Sequence, residues 1–468
     1  MSTDKKRSIL PLLIALAWPT MLEQLMHTAV QYIDTAMVGS LGTAATASVG
    51  STTTVNWLIG STVSAIGVGF LAYISQSIGA GQTDRIKAAS AQSVLAVLTV
   101  GVFFTLITLS LSGLIPRWMQ VDDELLDTAS TYFFILYTPM LFRTASIIFG
   151  AILRAAGDTK TPMRVGIAIN VTNVTLNFAL IYPTRSISVF GTDVKIIGAG
   201  LGVIGAGIAS AAAFALGGIL ITAALLRHPV LSPIGYSLRP DAEILLPCLK
   251  VAFPNALQRF GTSLGYVVFA AMVNSLGGIS TAAHTVANTV ESAFYIPGYG
   301  MQAAAATLAG NAYGAKDREK LRELGKVALL VEVILMIISG ALLFVSAPTM
   351  VRLFSSDEEV IALGTTVLRM VALSEPFYGV SIIIEGMMQG MGKTVMPFVT
   401  NVTGMWAVRI VGTFITTQIL GFGLVSAWAC MILHNLLLFI TFATYYTFKR
   451  KNMLGALKID TADTTESL

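Results

Sequence analysis

Long apolar runs separated by short polar segments dominate the chain. A helix needs roughly 20 apolar residues to cross the hydrocarbon core of a bilayer. We expect helices, because an open sheet would leave backbone groups unpaired in lipid. The predicted spans are 9–38, 46–78, 87–114, 127–153, 163–183, 200–226, 244–275, 281–311, 324–350, 360–388, 396–419 and 421–447. The breaks between them carry Gly, Pro and charge, as in GAGQTDR (79–85), RAAGDTKTP (154–162) and YGAKDREK (313–320).

The composition fits a membrane interior better than a water-soluble core. Hydrophobic residues make up 54% of the 468 positions, charged residues make up 12%, and the mean hydropathy is +0.76. Soluble domains carry about 25% charged residues. The basic start leads into an apolar run that is too long for a signal peptide, so we expect an uncleaved first span. The two cysteines, Cys248 and Cys430, have no metal-ligand spacing.

The distribution of Lys and Arg predicts the orientation, because cytoplasmic loops are enriched in both. With the N-terminus inside, nineteen of the 29 basic residues fall in cytoplasmic segments: Lys5, Lys6, Arg7, Arg85, Lys87, Arg154, Lys160, Arg164, Arg227, Arg239, Lys316, Arg318, Lys320, Arg322, Lys393, Lys449, Arg450, Lys451 and Lys458. The outer loops hold Arg117, Arg185, Lys195 and Arg352, together with the acidic clusters 122–124 and 357–359. We therefore expect both termini on the cytoplasmic side of the cell inner (plasma) membrane. The membrane orientation accounts for the excess of positive charge, so we expect no nucleic-acid partner.

The two halves of the sequence repeat each other at a shift of 235 residues. The matching positions, which need no gap, are Pro19 with Pro254, Gly42 with Gly277, Gly79 with Gly314, Gly157 with Gly392, and Pro162 with Pro397. Equal spacing of the helix breaks is typical of a duplicated structural unit.

The repeat predicts the architecture. Six spans return the chain to its starting side, so both halves enter the membrane in the same direction, as in a parallel repeat. We expect an all-α integral membrane fold with an N-terminal six-helix lobe (1–226), a cytoplasmic linker (227–241), a C-terminal six-helix lobe (242–447) and a polar cytoplasmic tail (448–468). Two facing lobes suit transport by alternating access. A duplicated scaffold without a pore, such as a membrane enzyme or a receptor, is the alternative.

Several repeated segments resemble the multidrug and toxic compound extrusion (MATE) family. The matching stretches are WPTMLEQLMHTAVQYIDTAMVGSLG (18–42), SQSIGAGQTDR (75–85), LRAAGDTKTPM (153–163), NVTLNFALIY (173–182), PGYGMQAAAATLAGNAYGA (297–315) and QGMGKTVMP (389–397). Each motif is weak alone, and their order, spacing and duplication carry the resemblance. It implies a cation-coupled exporter with a V-shaped, outward-opening cavity between the lobes.

The first lobe contains a candidate cation site. A charge inside a spanning helix costs about 2.5–3.5 kcal/mol on insertion scales, so Asp34 in the first span is either a snorkelling acid or a carboxylate that takes up a proton or sodium ion. Asn173 and Asn177 share one face of the fifth span, and their oxygens suit sodium or a protonated acid. Ser210 in the sixth span is a further candidate. The resemblance implies that Asp34 and the Asn pair form the first-lobe cation site, and polar contacts between helices are the alternative.

The second lobe departs from the family pattern. Some members carry acids in the seventh and tenth spans where this chain has Thr262 and Tyr378, which puts a second-lobe sodium site in doubt and favours protons. The lobe has other ionisable residues within its spans, namely the acids Glu291, Glu375 and Glu385 and the arginines Arg259, Arg369 and Arg409. They either form ion pairs that lock the bundle or handle the cation.

The candidate residues for the substrate cavity are methionines and aromatic residues. Methionine and aromatic walls suit varied apolar cations. The candidates for the first-lobe cleft are Met21, Met26, Tyr32, Met37, Tyr137, Phe149 and Phe178. Packing or lipid contact is the ordinary role for any one of them. Arg143 in the fourth span contacts either Asp34 or an anionic group.

These features predict a secondary active multidrug antiporter, not an enzyme, that exports organic cations or amphiphiles in exchange for H+ or Na+. We expect small organic substrates and membrane lipid as partners, a monomeric chain, no cofactor, and no metal beyond Na+. One alternative is a lipid or oligosaccharide-lipid flippase of the same superfamily, against which twelve spans and few cleft arginines argue. The other is a membrane-bound lipid-linked transferase, for which Asp122 and Asp123 lack an accompanying His or Lys cluster.

Overall fold

The computed structural model describes residues 9–119, 121–189 and 192–455 and is almost entirely helical. The elements of the first half are α1 (Ile9–Gly39), α2 (Thr43–Gly79), α3 (Thr83–Ser110), α4 (Ile115–Trp118), a 3-10 turn (Asp123–Leu125), α5 (Leu126–Tyr137), α6 (Met140–Ala155), α7 (Lys160–Leu180), β1 (Pro183–Val189), β2 (Thr192–Ala199) and α8 (Gly202–Arg227). Every apolar run predicted in this half coincides with helical structure.

The second half follows the same plan. Its elements are α9 (Ala242–Asn274), α10 (Gly278–Phe294), α11 (Ile296–Gly314), α12 (Arg318–Phe354), α13 (Glu358–Ala372), α14 (Glu375–Gly390), α15 (Val395–Thr403), a π-helical segment (Gly404–Ile410), α16 (Val411–Thr413), a second π-helical segment (Phe414–Ile419) and α17 (Leu424–Gly455). Helix α17 runs into the predicted tail, and the rest of that tail, 456–468, lies outside the described residues together with the basic start at 5–7.

The described helices make this a multi-pass membrane protein. Seven of them are long and apolar enough to cross a bilayer, and two bent helix pairs raise the number to nine. Helices α7, α9 and the pair α10–α11 cover the other three predicted spans. They contain more polar side chains and do not meet the joint criterion of helix length, mean hydropathy and few charged residues that the other helices meet.

Three predicted spans are not single helices, and this corrects the sequence interpretation. The runs at 127–153, 281–311 and 360–388 each contain two helices, with bends of 46° between α5 and α6 and 54° between α13 and α14. Proline lacks an amide N–H and its ring clashes with the preceding helical turn. The second helix of each pair begins at or beside a proline, at Pro139, Pro297 and Pro376.

A β-hairpin replaces the outer loop that we expected between the fifth and sixth spans. Strands β1 and β2 pair antiparallel, with Ile187 opposite Val194 and Arg185 opposite Ile196. Alternating β-branched residues on both sides of the turn are the sequence signal of such a hairpin.

The duplication is visible in the backbone of equivalent turns. A positive φ recurs 235 residues apart in three pairs: Gly42 (110°) with Gly277 (101°), Gly157 (84°) with Gly392 (73°), and Gly81 (69°) with Lys316 (54°). Lys316 is the one non-glycine residue with a positive φ among those described. The left-handed conformation favours glycine, so the second copy follows the same turn with a lysine where the first copy has a glycine.

The chain forms two compact units, which we describe separately. The N-terminal unit comprises Ala15–Ile74 and Gln82–Phe260, and the C-terminal unit comprises Met1–Ile14, Ser75–Gly81 and Gly261–Leu468. The predicted bounds of the lobes, linker and tail stay predictions.

In the N-terminal unit, the side chain of one glutamine on α3 forms hydrogen bonds with the segment before α9. The buried side chain of Gln92 donates to the carbonyl oxygen of Arg239 at 2.8 Å, and its own oxygen accepts from the amide of Asp241 at 3.2 Å. Nearby, an apolar cavity of about 330 Å³ lies between α2, α3 and α9 and is lined by residues that include Phe70 and Cys248.

Glycines allow close helix contacts in the C-terminal unit. Gln76, at the end of α2, donates to the carbonyl of Gly390 on α14 at 3.0 Å. A Cβ at Gly390 would overlap the carbonyl of Ala306 on α11, and one at Gly314 would overlap that of Gln76. Small residues at such contacts let helix backbones approach closely in membranes.

Candidate functional site

The candidate site lies in the N-terminal unit, where α1, α7 and α8 meet near the C-terminal end of α1. Asp34 is five residues before the end of α1 and is partly exposed. Tyr182, just after α7, fixes this end of α1, because its hydroxyl lies 2.9 Å from Ser40 Oγ and donates to the carbonyl of Met37 at 3.3 Å.

Asp34 is held by the amides of α7. Asn177 Nδ2 donates to Asp34 Oδ1 at 2.7 Å. Asn173 and Asn177 are buried, with 5% and 2% of their surface exposed. Their spacing of four residues places both amides on the face of α7 that meets α1, as the i, i+4 rule requires.

The amide of Asn173 can be placed in either of two orientations, which make different bonds. In one, Nδ2 donates to Ser210 Oγ at 3.0 Å, Oδ1 accepts from Asn177 Nδ2 at 3.0 Å, and Oδ1 also faces the Asp34 carboxylate. In the other, Nδ2 donates to Asp34 Oδ1 at 2.8 Å and Oδ1 accepts from Ser210 Oγ at 3.0 Å. An ionised carboxylate only accepts, whereas a protonated one also donates. The first orientation therefore suits protonated Asp34 and the second suits ionised Asp34.

One oxygen at the site is unused. Among the described residues, the buried Oδ1 of Asn177 has no hydrogen-bond partner. Buried polar atoms are almost always paired, so an exception calls for an explanation. The structure thus brings Asp34, Asn173, Asn177 and Ser210 into one polar cluster, and their cation-binding role stays a prediction.

The predicted cavity residues do not share one environment. Met37, Tyr137 and Phe149 are buried, with 7%, 0% and 2% of their surface exposed, whereas 42% of Tyr32 and 41% of Phe178 is exposed. Met21 and Met26 are intermediate. None of these seven residues lines the apolar cavity beside Cys248.

Buried acids cluster in the C-terminal unit. Glu291 and Glu375 are 2% and 1% exposed. Glu291 is hydrogen-bonded to Tyr295, and it interacts electrostatically with Glu375. The third predicted acid, Glu385, accepts from Gln389 at 3.0 Å and from Asn401 at 3.2 Å.

The sequence analysis missed Glu332 on α12. Its side chain is 0% exposed, and neither carboxylate oxygen has a hydrogen-bond partner among the described residues. It packs against two glycines, since a Cβ at Gly298 or Gly379 would come within 2.8 or 3.1 Å of its Oε1. The signal was present, because Glu332 interrupts an otherwise apolar run, LLVEVILMI.

Ion pairs with arginine were one of two roles considered for the second-lobe acids, and among the described residues Glu375, Arg369 and Arg409 form none. Within the described part of the chain, both oxygens of Glu375 lack hydrogen-bond partners. Arg369 lies over the ring of Phe344 at 5.3 Å. The buried guanidinium carbon of Arg409 lies 4.9 Å from the ring centre of Tyr266 and 4.3 Å from that of Phe269, both on α9. Arg259, on α9, donates to Asn255 at 2.9 Å.

Arg143 does not bond to Asp34. Its Nη1 donates to Asn56 Oδ1 on α2, and it is hydrogen-bonded to Tyr137. Its guanidinium carbon lies 5.0 Å from the ring centre of Phe214 on α8. Of the two contacts we considered for Arg143, the one with Asp34 is therefore wrong.

Comparison with known proteins identifies what the chain is similar to. The MatE family model matches residues 19–179 and 254–415, two segments that begin 235 residues apart. The chain is 26% identical to a probable multidrug resistance protein NorM from Thermotoga maritima over 90% of this chain and 88% of that protein. It is 24% identical to the probable multidrug resistance protein YoeA from Bacillus subtilis, over 88% and 87%.

Solved structures agree in fold. A crystal structure of a MATE protein in a bent conformation superposes with a TM-score of 0.86 at 21% identity, over 96% of this chain and 97% of that one. A MOP superfamily transporter from Pyrococcus furiosus superposes with a TM-score of 0.84 at 21% identity, over 98% of this chain and 100% of that one.

Proposed function

Since the chain belongs to the MatE family and is therefore a membrane transporter and not an enzyme, we propose that it is a secondary active multidrug antiporter. It exports small organic cations or amphiphiles in exchange for protons or sodium ions. The relatives in Thermotoga maritima and Bacillus subtilis carry the name multidrug resistance protein, which supports this substrate class.

The observation that carries the proposal is the set of contacts around Asp34. A carboxylate inside a spanning helix is costly and therefore a functional candidate. Here it meets two buried amides and, through Asn173, a hydroxyl. Such a cluster can accept or release one positive charge at the carboxylate of Asp34, with the neighbouring amides and the hydroxyl as its hydrogen-bond partners.

The second lobe favours protons over sodium as the coupling ion. Thr262 and Tyr378 stand where some members of the family carry the acids of a second-lobe sodium site. At the first-lobe site, Asp34 Oδ1 accepts from the N–H of Asn177 at 2.7 Å. An uptake of one proton by Asp34 would need no further oxygen ligands.

Dye efflux in inverted vesicles tests both the site and the ion. A pH gradient alone should drive accumulation of a fluorescent organic cation, a sodium gradient alone should not, and Asp34→Asn should abolish the accumulation while leaving the amount of protein in the membrane unchanged. The matched control is Asp122→Asn, which removes an exposed carboxylate and should transport as the wild type does.

Two outcomes would contradict the proposal. Efflux by Asp34→Asn at the wild-type rate would remove Asp34 from the mechanism. Movement of a lipid-linked oligosaccharide by the purified protein, without dye efflux, would favour a flippase instead.

We also propose that the protein is a monomer in the cell inner membrane with both termini in the cytoplasm. The excess of Lys and Arg in the predicted cytoplasmic segments supports this orientation. Cysteine labelling from either side tests it. A single cysteine introduced at exposed Ser356 should react with an impermeant maleimide in whole cells, and one at exposed Arg85 should not.

A further inference from the structure

The N-terminal unit contains a second charged group whose place in the transport cycle is not explained by the Asp34 cluster. Arg143, on α6, is a guanidinium within the predicted fourth span and is partly exposed. A cation at membrane depth normally pairs with an acid or faces an aqueous cavity. Arg143 has neither hydrogen bond nor ion pair to a carboxylate among the described residues.

The partners of Arg143 are all neutral. Asn56 Oδ1 accepts from Arg143 Nη1 and also from the hydroxyl of Tyr137 at 3.1 Å, so a single oxygen serves both donors. Phe214 offers the face of its ring to the guanidinium. A neutral amide and a ring face orient a cation and offset part of its desolvation, but they leave its charge uncompensated.

The guanidinium also has unused hydrogen-bonding capacity. Arginine carries five N–H donors in a planar fork that matches a carboxylate with two parallel bonds. The described contacts engage Nη1 and the bond with Tyr137. Beside Nη2 the chain has a glycine: a Cβ at Gly60 would have Arg143 Nη2, at 3.8 Å, as its only neighbour within 4 Å. The backbone of α2 therefore leaves open space on this side of the fork.

The unit contains charged groups of both signs. Arg143 contributes a guanidinium and Asp34 on α1 contributes a carboxylate. Tyr132 on α5 interacts electrostatically with both Arg143 and Asp34. The same unit thus presents a carboxylate with amides at one point and an uncompensated guanidinium at another, and a molecule with both a cationic and an anionic group complements that pattern.

We propose that Arg143, held by Asn56 and Tyr137 and left open at Gly60, is an anion subsite that takes the carboxylate of a zwitterionic aromatic substrate. This inference rests on the proposed function, because it names a substrate class for the same transporter. Arg143 donates two N–H bonds to the two carboxylate oxygens, and Phe214 packs against the guanidinium. No covalent step is involved.

A matched pair of probes tests the subsite. One is a zwitterionic rhodamine with a free benzoate, and the other is its methyl ester, a cation of nearly the same shape. Fluorescence polarisation measures the Kd of each for the purified protein in detergent, where no ion gradient is present. We expect the wild type to bind the acid more tightly than the ester.

Two variants at the subsite should remove that preference. In Arg143→Gln, the Kd of the acid should rise about 10- to 100-fold, as loss of hydrogen bonds to a charged group implies, and the Kd of the ester should change less than about twofold. Gly60→Val should weaken the acid selectively by filling the space beside Nη2. Arg164→Gln, an exposed arginine of the same unit, should leave the ratio unchanged.

The two probes distinguish a misfolded variant from one that has lost the anion subsite. The unchanged Kd of the ester shows that a variant is folded. Binding is measured without a gradient, so failure of dye efflux would count against the antiport proposal and not against the subsite. The same ratio in nanodiscs with and without an anionic phospholipid distinguishes a substrate carboxylate from a lipid headgroup, since a bound headgroup would compete with the acid probe. Equal affinity of the wild type for acid and ester, or an equal loss of both in Arg143→Gln, would overturn the inference.

Discussion

Replacing Glu332 by methionine should stabilise the protein. The side chain of Glu332 is fully buried against Gly298 and Gly379, and among the described residues neither of its carboxylate oxygens is hydrogen-bonded. Methionine has nearly the same length and no polar oxygen. Its flexible thioether should occupy the same space beside Met336 on α12.

The magnitude follows from the two unpartnered oxygens. Burying a polar group without a hydrogen bond costs about 1–3 kcal/mol in protein mutational data. Glu332→Met should therefore raise the free energy of unfolding by about 1–3 kcal/mol. Glu332→Gln exchanges one unpartnered polar group for another and should change it by less than about 0.5 kcal/mol. The matched control is Glu319→Met, an exposed position on the same helix, where the change should also stay within about 0.5 kcal/mol.

The two cysteines supply the assay. Cys248 and Cys430 are buried, with 3% and 8% of their surface exposed, and Cys430 lies in the same unit as Glu332. In a Cys248→Ala background, a maleimide dye reports unfolding of the C-terminal unit through Cys430 alone. Titration with SDS in mixed micelles then compares the variants under equal conditions. A loss of more than about 1 kcal/mol in Glu332→Met, with Glu332→Gln unchanged, would refute the reasoning, because it would show that the carboxyl group makes stabilising bonds.

Two further substitutions test the backbone geometry by the same titration. Gly390→Ala should lower the free energy of unfolding by about 1–3 kcal/mol, because the new Cβ overlaps the carbonyl of Ala306, whereas Gly423→Ala, with nothing within 4 Å, should not lower it; equal effects would contradict the packing argument. Lys316→Gly should raise the free energy of unfolding by about 0.5 kcal/mol, since relief of the left-handed strain exceeds the entropy that glycine loses. Lys320→Gly, inside the first turn of α12, should instead lower the free energy of unfolding by about 1 kcal/mol. A lower free energy of unfolding in both variants would show that Lys316 is not strained.

The lengths of the apolar runs and the positions of the glycines between them were sufficient to predict most of the fold. The breaks after Gly79 and Gly314 are where α2 and α11 end, because the segments that follow them are too polar to continue a spanning helix. Hydropathy averages over a window, so it did not reveal the breaks at Pro139 and Pro297, where chain direction changes within an apolar run. It also hid the β-hairpin, whose alternating residues average to the polarity of a loop.

The candidate site was predictable only in part. The spacing of Asn173 and Asn177 predicts one shared helix face, but the meeting of α1 with α7 was implied by family resemblance and not by any local pattern. Partners on different helices are set by packing, which explains why the ion pair considered for Arg409 is not found among the described residues. Its aromatic neighbours, Tyr266 and Phe269, lie more than a hundred residues away in the sequence.

The end of α2 constrains how the protein is made. Ser75–Gly81 belongs to the C-terminal unit, where Gln76 bonds to Gly390 and a Cβ at Gly310 would overlap Ser75. The ribosome releases this segment more than two hundred residues before α11 and α14 exist. The contacts of this segment can therefore form only after α14 has been synthesised. A product truncated after α8 would lack the helices against which the end of α2 packs.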